Sequence, residues 1–181
     1  MRGPLSAVAP TPAEIAAGLP GDDIVADADV VMDRAFIVNA PPDVTWPWLA
    51  QLGKRRAGWY FPRSVERFIP PSRRGLRWID PAFPPLRVGD VIPDWGGRDA
   101  SFEVALIEPP ATVVYRSRRG RTNLTWTIVQ RPVAAGATRV QLRLRLGPVR
   151  RVWLANSAGD LIDGLTIVGL AAGLRERVRG R

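Results

Sequence analysis

The side chains that could do chemistry in this sequence are carboxylates, hydroxyls and arginines, because the chain contains no histidine and no cysteine. Their absence excludes a Ser-His-Asp or Cys-His nucleophile, a disulfide framework and a cysteine-based metal site. Acid–base work would therefore fall to carboxyl groups and tyrosines, whose pKa values shift on burial. We accordingly predict no metal site and no cofactor.

Three side chains are candidates for such acid–base work. Asp163 interrupts the longest apolar stretch, Leu161–Leu174, so it would lie at the edge of a buried helix face. Tyr115 shares the parity of the apolar Val113 in a predicted strand, so it would point inward. Glu103 lies in the strand before it. The simpler alternatives are a solvated or arginine-paired carboxylate and a tyrosine packed in the core.

Arg34 shares the parity of two apolar residues, Phe36 and Val38, in the first predicted strand. An arginine that faces the interior needs an anionic partner. That partner would be a ligand carboxylate, Asp163 or Glu103. The alternative is that Arg34 lies in water at the end of the strand.

The chain also contains seven tryptophans, which is many for 181 residues. Trp126 has inward parity in its predicted strand, whereas Trp78 and Trp95 fall in loops that would rim a cavity. Aromatic side chains suit a flat apolar ligand, although ordinary core and loop packing would account for the same residues. The residues predicted to contact a ligand are Arg34, Phe36, Trp59, Trp78, Trp95, Trp126, Leu142, Leu144, Leu165 and Val168.

Hydrophobic periodicity predicts the elements that must position these side chains. Thr11, Pro12 and Glu14 form the signature of a short capped helix. One strand, two short helices and five further strands follow. Their bounds are 29–39, 41–52, 62–68, 88–92, 102–108, 112–117, 123–131 and 138–146.

A last helix is predicted over 154–178. Its expected apolar stripe is formed by Leu161, Leu165, Val168 and Ala172. Its glycines each lower helix propensity by about 1 kcal/mol relative to alanine, so tertiary packing must hold it. The short links between strands indicate an antiparallel sheet, which twists and curls. A terminal helix in the concave face would bury both apolar surfaces and leave room for a cavity, in an α+β arrangement.

Several motifs follow one another along the chain. They are Ile37-Val38-Asn39-Ala40-Pro41-Pro42, Trp46-Pro47-Trp48-Leu49, Arg56-Ala57-Gly58-Trp59-Tyr60, Val88-Gly89-Asp90 and Ile107-Glu108-Pro109-Pro110. In these motifs, over residues 11–178, the chain resembles the START-like or SRPBCC superfamily, including its polyketide cyclase/dehydrase-like branch. It departs from a subgroup of uncharacterised bacterial members at Phe61–Glu66, where only Glu66 of the expected polar residues is present.

This resemblance implies the helix-grip fold. In that fold a curved antiparallel sheet of about six or seven strands holds a long C-terminal helix across its concave face, with two short helices after the first strand. The resemblance also implies an internal cavity for a hydrophobic small molecule. No particular reaction follows, because the superfamily includes transporters, sensors and cyclases. We divide the chain into an N-terminal extension with a short helix (1–28) and a START-like ligand-binding domain (29–181).

The charge of the chain is strongly asymmetric. The net charge is +9, yet the first 33 residues hold six acidic residues and one arginine. The basic remainder suggests a stripe that would bind nucleic acid or an anionic membrane. A solvated outer face, partly covered by the acidic segment, is the simpler interpretation. Since no helix-turn-helix pattern and no exposed aromatic alternation is present, we expect no nucleic-acid partner and at most weak contact with membrane surfaces. The oligomeric state is left open.

The leading hypothesis is a cytoplasmic protein, with no signal peptide and no apolar run of about 20 residues. It would bind a hydrophobic small molecule, lipid or polyketide-like, between the sheet and the C-terminal helix. The alternative is a cyclase or dehydratase that uses cavity shape with Asp163, Glu103 and Tyr115 as acid–base groups, while Arg34 orients the substrate or stabilises an enolate. A second alternative is a protein that binds anionic surfaces through its arginines.

Overall fold

Six strands form one antiparallel sheet, in the order β1-β6-β5-β4-β3-β2, in a computed structural model that describes residues 3–133 and 136–180. The strands are β1 (Val30–Val38), β2 (Val91–Pro93), β3 (Ser101–Glu108), β4 (Thr112–Arg119), β5 (Thr122–Val133) and β6 (Ala137–Gly147). All six predicted strands are confirmed. Only β2 begins clearly late, because Gly89 adopts a positive φ of 92° in the turn before it.

The register of the sheet separates an inner apolar face from an outer polar face. Leu142 on β6 lies opposite Arg34 on β1 and Ile128 on β5. Leu142 and Ile128 are buried in the core, so this parity faces inward. The next residue, Arg143, therefore faces outward, as the alternation over 138–146 predicts.

Three short helices precede the second strand. The capping box predicted for α1 (Pro12–Ala16) is confirmed, since Thr11 and Glu14 hydrogen-bond reciprocally. The helix α2 (Pro42–Ala50) buries Trp48 and Leu49 in the core. The helix α3 (Arg63–Glu66) follows a turn through Gly58. Along the chain, α2 and α3 follow β1 and precede the other five strands, as the resemblance implies.

The C-terminal helix consists of α4 (Val152–Leu154), a π turn (Ala155–Gly159) and α5 (Asp160–Arg179). Its residues Ile167, Leu170 and Leu174 join Phe36 and Leu142 in one hydrophobic cluster. The helix therefore packs across the inner face of the sheet. This arrangement is α+β and helix-grip-like, as predicted.

The buried face of α5 is not the predicted stripe. Leu161 and Leu165 are about half exposed, at 50% and 48%. The buried residues are Gly164, Ile167, Leu170, Ala171, Gly173, Leu174, Arg177 and Val178. A Cβ on Gly173 would lie 2.7 Å from backbone carbons of Tyr60 and Phe61. Only a glycine permits this approach, so the glycine face sets the rotation of the helix.

By length and composition, one helix of the described chain, Val152–Arg179, could cross a membrane, and one third of its most apolar part is buried in this fold. The sequence expectation considered the shorter stretch Leu161–Leu174. Long core helices have similar compositions. Here Asp163 lies against Arg34 of β1, and Arg177 pairs with Glu66 of α3. The charged residues of this helix therefore bind other elements of the same domain.

The acidic N-terminal segment covers part of the outer face of the sheet. Arg143 is only 4% exposed and pairs with Asp22 and Asp33, each at 2.8 Å. It also donates to the backbone carbonyls of Ala17 and Ile15. The outer face was expected to be solvated and partly covered by the acidic segment, and at Arg143 that cover is present, because the segment places both its carboxylates and its carbonyls on the sheet.

Candidate functional site

A cavity of about 620 Å³ lies between the inner face of the sheet, α5 and the loops around α3 and after β2. Its volume is within the range of about 300–1,000 Å³ that is usual for ligand pockets. Most of the side chains around it are apolar. They are Leu52, Gly53, Trp59, Phe61, Ile69, Arg73, Ile92, Pro93, Asp94, Trp95, Phe102, Tyr115, Arg119, Leu124, Trp126, Leu144, Ile162, Asp163, Thr166 and Ile167.

Aromatic rings form one wall of the cavity. Trp126 on β5 lies opposite Tyr115 on β4, and the two rings stack with centroids 5.7 Å apart. Trp59 stacks on Trp126 at 5.9 Å, and its indole N–H donates to the Thr166 carbonyl of α5 at 3.4 Å. Trp95, from the loop after β2, meets Trp59 edge-on at 6.3 Å. The wall therefore extends from the sheet to the helix.

An arginine and two carboxylates form the polar part of the wall near the start of α5. The Arg34 Nη2 donates to the Asp160 carboxylate at 2.5 Å and to the Asp160 carbonyl at 2.8 Å. Its Nη1 donates to the Asp33 carbonyl at 2.9 Å. The Arg34 Nε lies 3.0 Å from the Asp163 Oδ2, but the geometry leaves both atoms without a hydrogen bond. Of the partners predicted for Arg34, Asp163 lies within ion-pair distance, but the carboxylate that accepts its hydrogen bond is Asp160, which was not predicted.

The carboxyl group of Asp163 titrates close to neutral pH. Burial raises its pKa from 3.8 to about 6, while the Arg34 guanidinium opposes the shift and the Asp160 carboxylate adds to it. The side chain is 19% exposed and lines the cavity. A carboxyl group there can donate a hydrogen bond when protonated, or hold a cation when charged.

The Tyr115 hydroxyl is a second polar group of the cavity. It makes no hydrogen bond to any residue in the described ranges, although the tyrosine is almost fully buried. Burial also raises the pKa of Tyr115 above its usual range, so the hydroxyl stays protonated at neutral pH. It is therefore free to exchange a hydrogen bond with a ligand.

A second ion pair lies where the loop after β2 meets the cavity. Arg119 at the end of β4 pairs with Asp94, and its guanidinium lies 5.3 Å from the Phe102 ring centroid. The Lys54 ammonium donates to the Asp94 carbonyl at 2.9 Å. These contacts fix the residue that precedes Trp95. They therefore hold that tryptophan against Trp59.

The structure brings together only part of the predicted site. Six of the predicted side chains line the cavity: Asp163, Tyr115, Trp59, Trp95, Trp126 and Leu144. Arg34 lies behind Asp163. Phe36 and Leu142 are buried in the core beside the cavity, and Val168 packs partly buried against that core.

Three predicted site residues lie elsewhere. Glu103 is on the outer face of β3, where it pairs with Arg116 at 2.6 Å, because its parity is opposite to that of the buried Val104. Trp78 is 58% exposed on another surface, since its loop runs outside the core. Leu165 points outward because of the rotation of α5 described above.

Sequence reasoning missed several residues of the cavity, notably Arg119, Phe61 and Ile162. Arg119 has the same strand parity as Tyr115, so this signal was available in the alternation of β4. Ile162 is 65% exposed yet borders the cavity, and no periodicity marks such a rim residue. Among the described residues, no group of three or more carboxylates forms a metal site.

Comparison with solved structures shows the fold. CalU16 from Micromonospora echinospora is 15% identical over 83% of this chain and 84% of its own, with a TM-score of 0.45. DynU16, a protein in the dynemicin biosynthetic locus, is 14% identical over 82% of this chain, with a TM-score of 0.52. A protein from Rhodobacter sphaeroides is 14% identical over 84% of this chain and 94% of its own, with a TM-score of 0.51.

The chain spans about half of DynU16, since the match covers 47% of that protein. No family model matches the sequence, and no curated protein matches it. At these identities the similarity concerns architecture alone. The fold and the cavity together define a helix-grip-like α+β domain with an aromatic-walled cavity between the sheet and the C-terminal helix.

Proposed function

We propose that the protein is a START-like ligand-binding domain that takes up a flat hydrophobic small molecule between its sheet and its C-terminal helix. The observation that carries the proposal is the cavity of about 620 Å³, with its aromatic wall and few polar groups. Ligand sites usually combine apolar walls with a small number of placed polar groups. The place of DynU16 in the dynemicin biosynthetic locus supports a polyketide-like ligand.

Native mass spectrometry of the protein purified from its own host tests this proposal. We expect one bound small molecule per chain, released on unfolding and identifiable as a lipid or polyketide-like compound. A panel of lipids and aromatic polyketides added to ligand-free protein serves as the companion measurement. The proposal is wrong if the host protein carries no small molecule and no member of the panel binds.

The placement of Asp163 and Tyr115 in one cavity favours a second candidate function, a dehydratase or cyclase. The Asp163 carboxylate would remove the proton α to a carbonyl, and the Tyr115 hydroxyl would protonate the departing hydroxyl group. A carbon–carbon double bond forms and water leaves. The proton on Asp163 then passes to the Tyr115 phenolate through water, so atoms and charge balance and both groups are restored. Glu103 has no part in this scheme, since it lies on the outer face.

A β-hydroxy ketone with an aromatic substituent, 4-hydroxy-4-phenylbutan-2-one, tests the second candidate. Its dehydration gives a conjugated enone that is followed by ultraviolet absorbance. We expect catalysis by the wild-type protein that falls at least tenfold in both Asp163→Asn and Tyr115→Phe, with Glu103→Gln unchanged. Absence of catalysis, or equal activity in all variants, removes the enzymatic candidate and leaves the binding function.

A further inference from the structure

The charges around Arg34 are unbalanced. One guanidinium faces two carboxylates, and its three aligned hydrogen bonds go to Asp160, twice, and to the Asp33 carbonyl. The Asp33 carboxylate does not compete for Arg34, because Arg143 binds it at 2.8 Å. Asp163 shares the same guanidinium through one contact, 3.0 Å from the Arg34 Nε to Oδ2, and within the described ranges this buried oxygen has no aligned hydrogen bond. A mostly buried carboxyl group without a hydrogen bond requires an explanation.

The other charged groups of the cavity leave Asp163 as the anion available to a ligand. The only other lining carboxylate, among the described residues, is Asp94, which Arg119 neutralises. Arg119 is engaged in the same pair and lies over the Phe102 ring. Arg73 also lines the cavity but is exposed, so water and salt screen its charge. The polar wall at the start of α5 thus carries one excess negative charge.

Aromatic rings line the same cavity. Trp59, Trp95, Trp126, Tyr115 and Phe102 all line the cavity with Asp163. Their electron-rich faces attract cations, and tryptophan does so most strongly. Aromatic rings beside an under-neutralised carboxylate are the chemistry that recognises an ammonium or a protonated ring nitrogen.

We propose that the ligand of this cavity is a planar aromatic amine whose positively charged nitrogen binds against Asp163. This inference rests on the proposed binding function and adds the charge of the ligand to it. Asp163 is the specificity-determining residue. The aromatic wall supplies stacking affinity that a neutral ligand of the same shape would share, and its attraction for a cation adds to the preference that Asp163 sets.

Three planar tricyclic probes of matched size separate the inference from the function on which it rests. At pH 7.5 the probe 9-aminoacridine is a cation, acridine is neutral and anthracene-9-carboxylate is an anion. Their dissociation constants are measured by isothermal titration calorimetry on the wild-type protein. We expect 9-aminoacridine to bind about tenfold tighter than acridine, and anthracene-9-carboxylate to bind most weakly.

Two variants of equal charge change locate the preference. Asp163→Asn keeps the shape of the side chain and removes its charge, whereas Glu103→Gln makes the same change on the outer face. We expect Asp163→Asn to bind acridine as the wild type does and to lose the tenfold preference for the amine. Glu103→Gln should keep that preference.

The outcomes separate the two proposals. If no probe binds the wild type, the inference is wrong, whereas the binding function is decided by its own test on the host protein and the ligand panel. If acridine binds but the amine binds no tighter, the binding function stands and the inference is wrong. If the tenfold preference for the amine survives in Asp163→Asn, the inference is also overturned, because a group other than Asp163 would then recognise the positive charge of the ligand. If Asp163→Asn folds poorly, Asp163→Ser removes the same charge and takes its place in the comparison.

Discussion

At the scale of single residues, Asp163 carries a charge that works against folding. Its carboxyl group is mostly buried, and the neighbouring Arg34 guanidinium donates its aligned hydrogen bonds to other acceptors. A buried carboxylate without hydrogen bonds is destabilising unless something neutralises it. A group of this kind at a cavity wall is typical of sites that bind ligands or move protons.

The first prediction concerns the stability of Asp163→Asn as a function of pH. The pKa of Asp163 is about 6 in the folded protein, above its ordinary 3.8, so the folded state binds the proton more tightly. The stability that this proton contributes is present below about pH 4 and is lost as the pH rises through about 6. We therefore expect Asp163→Asn to gain about 2 kcal/mol relative to the wild type between pH 4 and pH 8.

Urea unfolding at several pH values measures this difference, with Glu103→Gln as the matched control. The control carboxylate lies in an exposed pair, so Glu103→Gln should change the free energy of unfolding by less than about 1 kcal/mol. Parallel pH profiles for the wild type and Asp163→Asn would show that Asp163 is not perturbed by burial.

Some residues of the site could be placed from the local sequence pattern, and others depend on contacts that are distant in sequence. Strand parity was sufficient to place Trp126, Tyr115 and Arg34, because the alternation of a strand fixes the face of each side chain. Trp95 lies on the cavity as expected of a rim loop. Trp78 does not, because loop direction depends on contacts that are distant in sequence, such as the hydrogen bond from Gln51 to the Trp78 carbonyl.

At the scale of elements, the C-terminal helix determines the shape of the cavity through its glycines. Gly169 and Gly173 bring α5 against the Tyr60–Phe61 segment, where any Cβ would overlap existing atoms. This approach turns Asp163, Thr166 and Ile167 toward the cavity. The predicted stripe was chosen from its large apolar residues, such as Leu161 and Leu165. Glycines do not mark a buried face in such a pattern, and for that reason the rotation of the helix was not predicted.

The second prediction compares two glycine substitutions in this helix. In Gly173→Ala the new methyl group would lie 2.7 Å from backbone carbons of Tyr60 and Phe61, which cannot move easily. We expect a loss of about 1–3 kcal/mol in the free energy of unfolding. In Gly159→Ala the nearest atom is the Met32 methyl at 3.5 Å, an ordinary contact. There we expect a gain of about 0.5–1 kcal/mol from helix propensity.

Thermal and urea unfolding of both variants measure these changes, which should have opposite signs. A neutral or stabilising Gly173→Ala would show that α5 does not pack as closely on the Tyr60–Phe61 segment as described.

At the scale of the whole molecule, the acidic N-terminal segment and the basic sheet are parts of one packed structure. Arg139 pairs with Glu14 at 2.7 Å, and this ion pair holds the pKa of Glu14 at about 2. Arg143 and Arg145 hydrogen-bond to carbonyls of the same segment. The sequence indicated the charge asymmetry and the order of elements. It did not indicate which arginines are covered, since that depends on the path of residues 12–29 over the outer face.

The third prediction compares two outer-face arginines. Arg143→Leu would leave Asp33, which is 8% exposed, and two or more carbonyls without their donor. We expect it to cost about 3–5 kcal/mol in the free energy of unfolding, as for other broken buried pairs. Arg116→Leu removes an exposed arginine from its pair with Glu103 and should not change stability measurably. Equal effects of the two substitutions would mean that the segment does not bury Arg143.

The central claim is that the space between the sheet and α5 is a ligand site, and calorimetric titration with neutral acridine tests it most directly. Leu144→Trp adds bulk to the cavity wall, and Val31→Trp adds the same side chain at an exposed position of β1. We predict saturable binding of one acridine per chain in the wild type and in Val31→Trp, and at least tenfold weaker binding in Leu144→Trp. Binding that is absent from the wild type, or unaffected by Leu144→Trp, would contradict the claim.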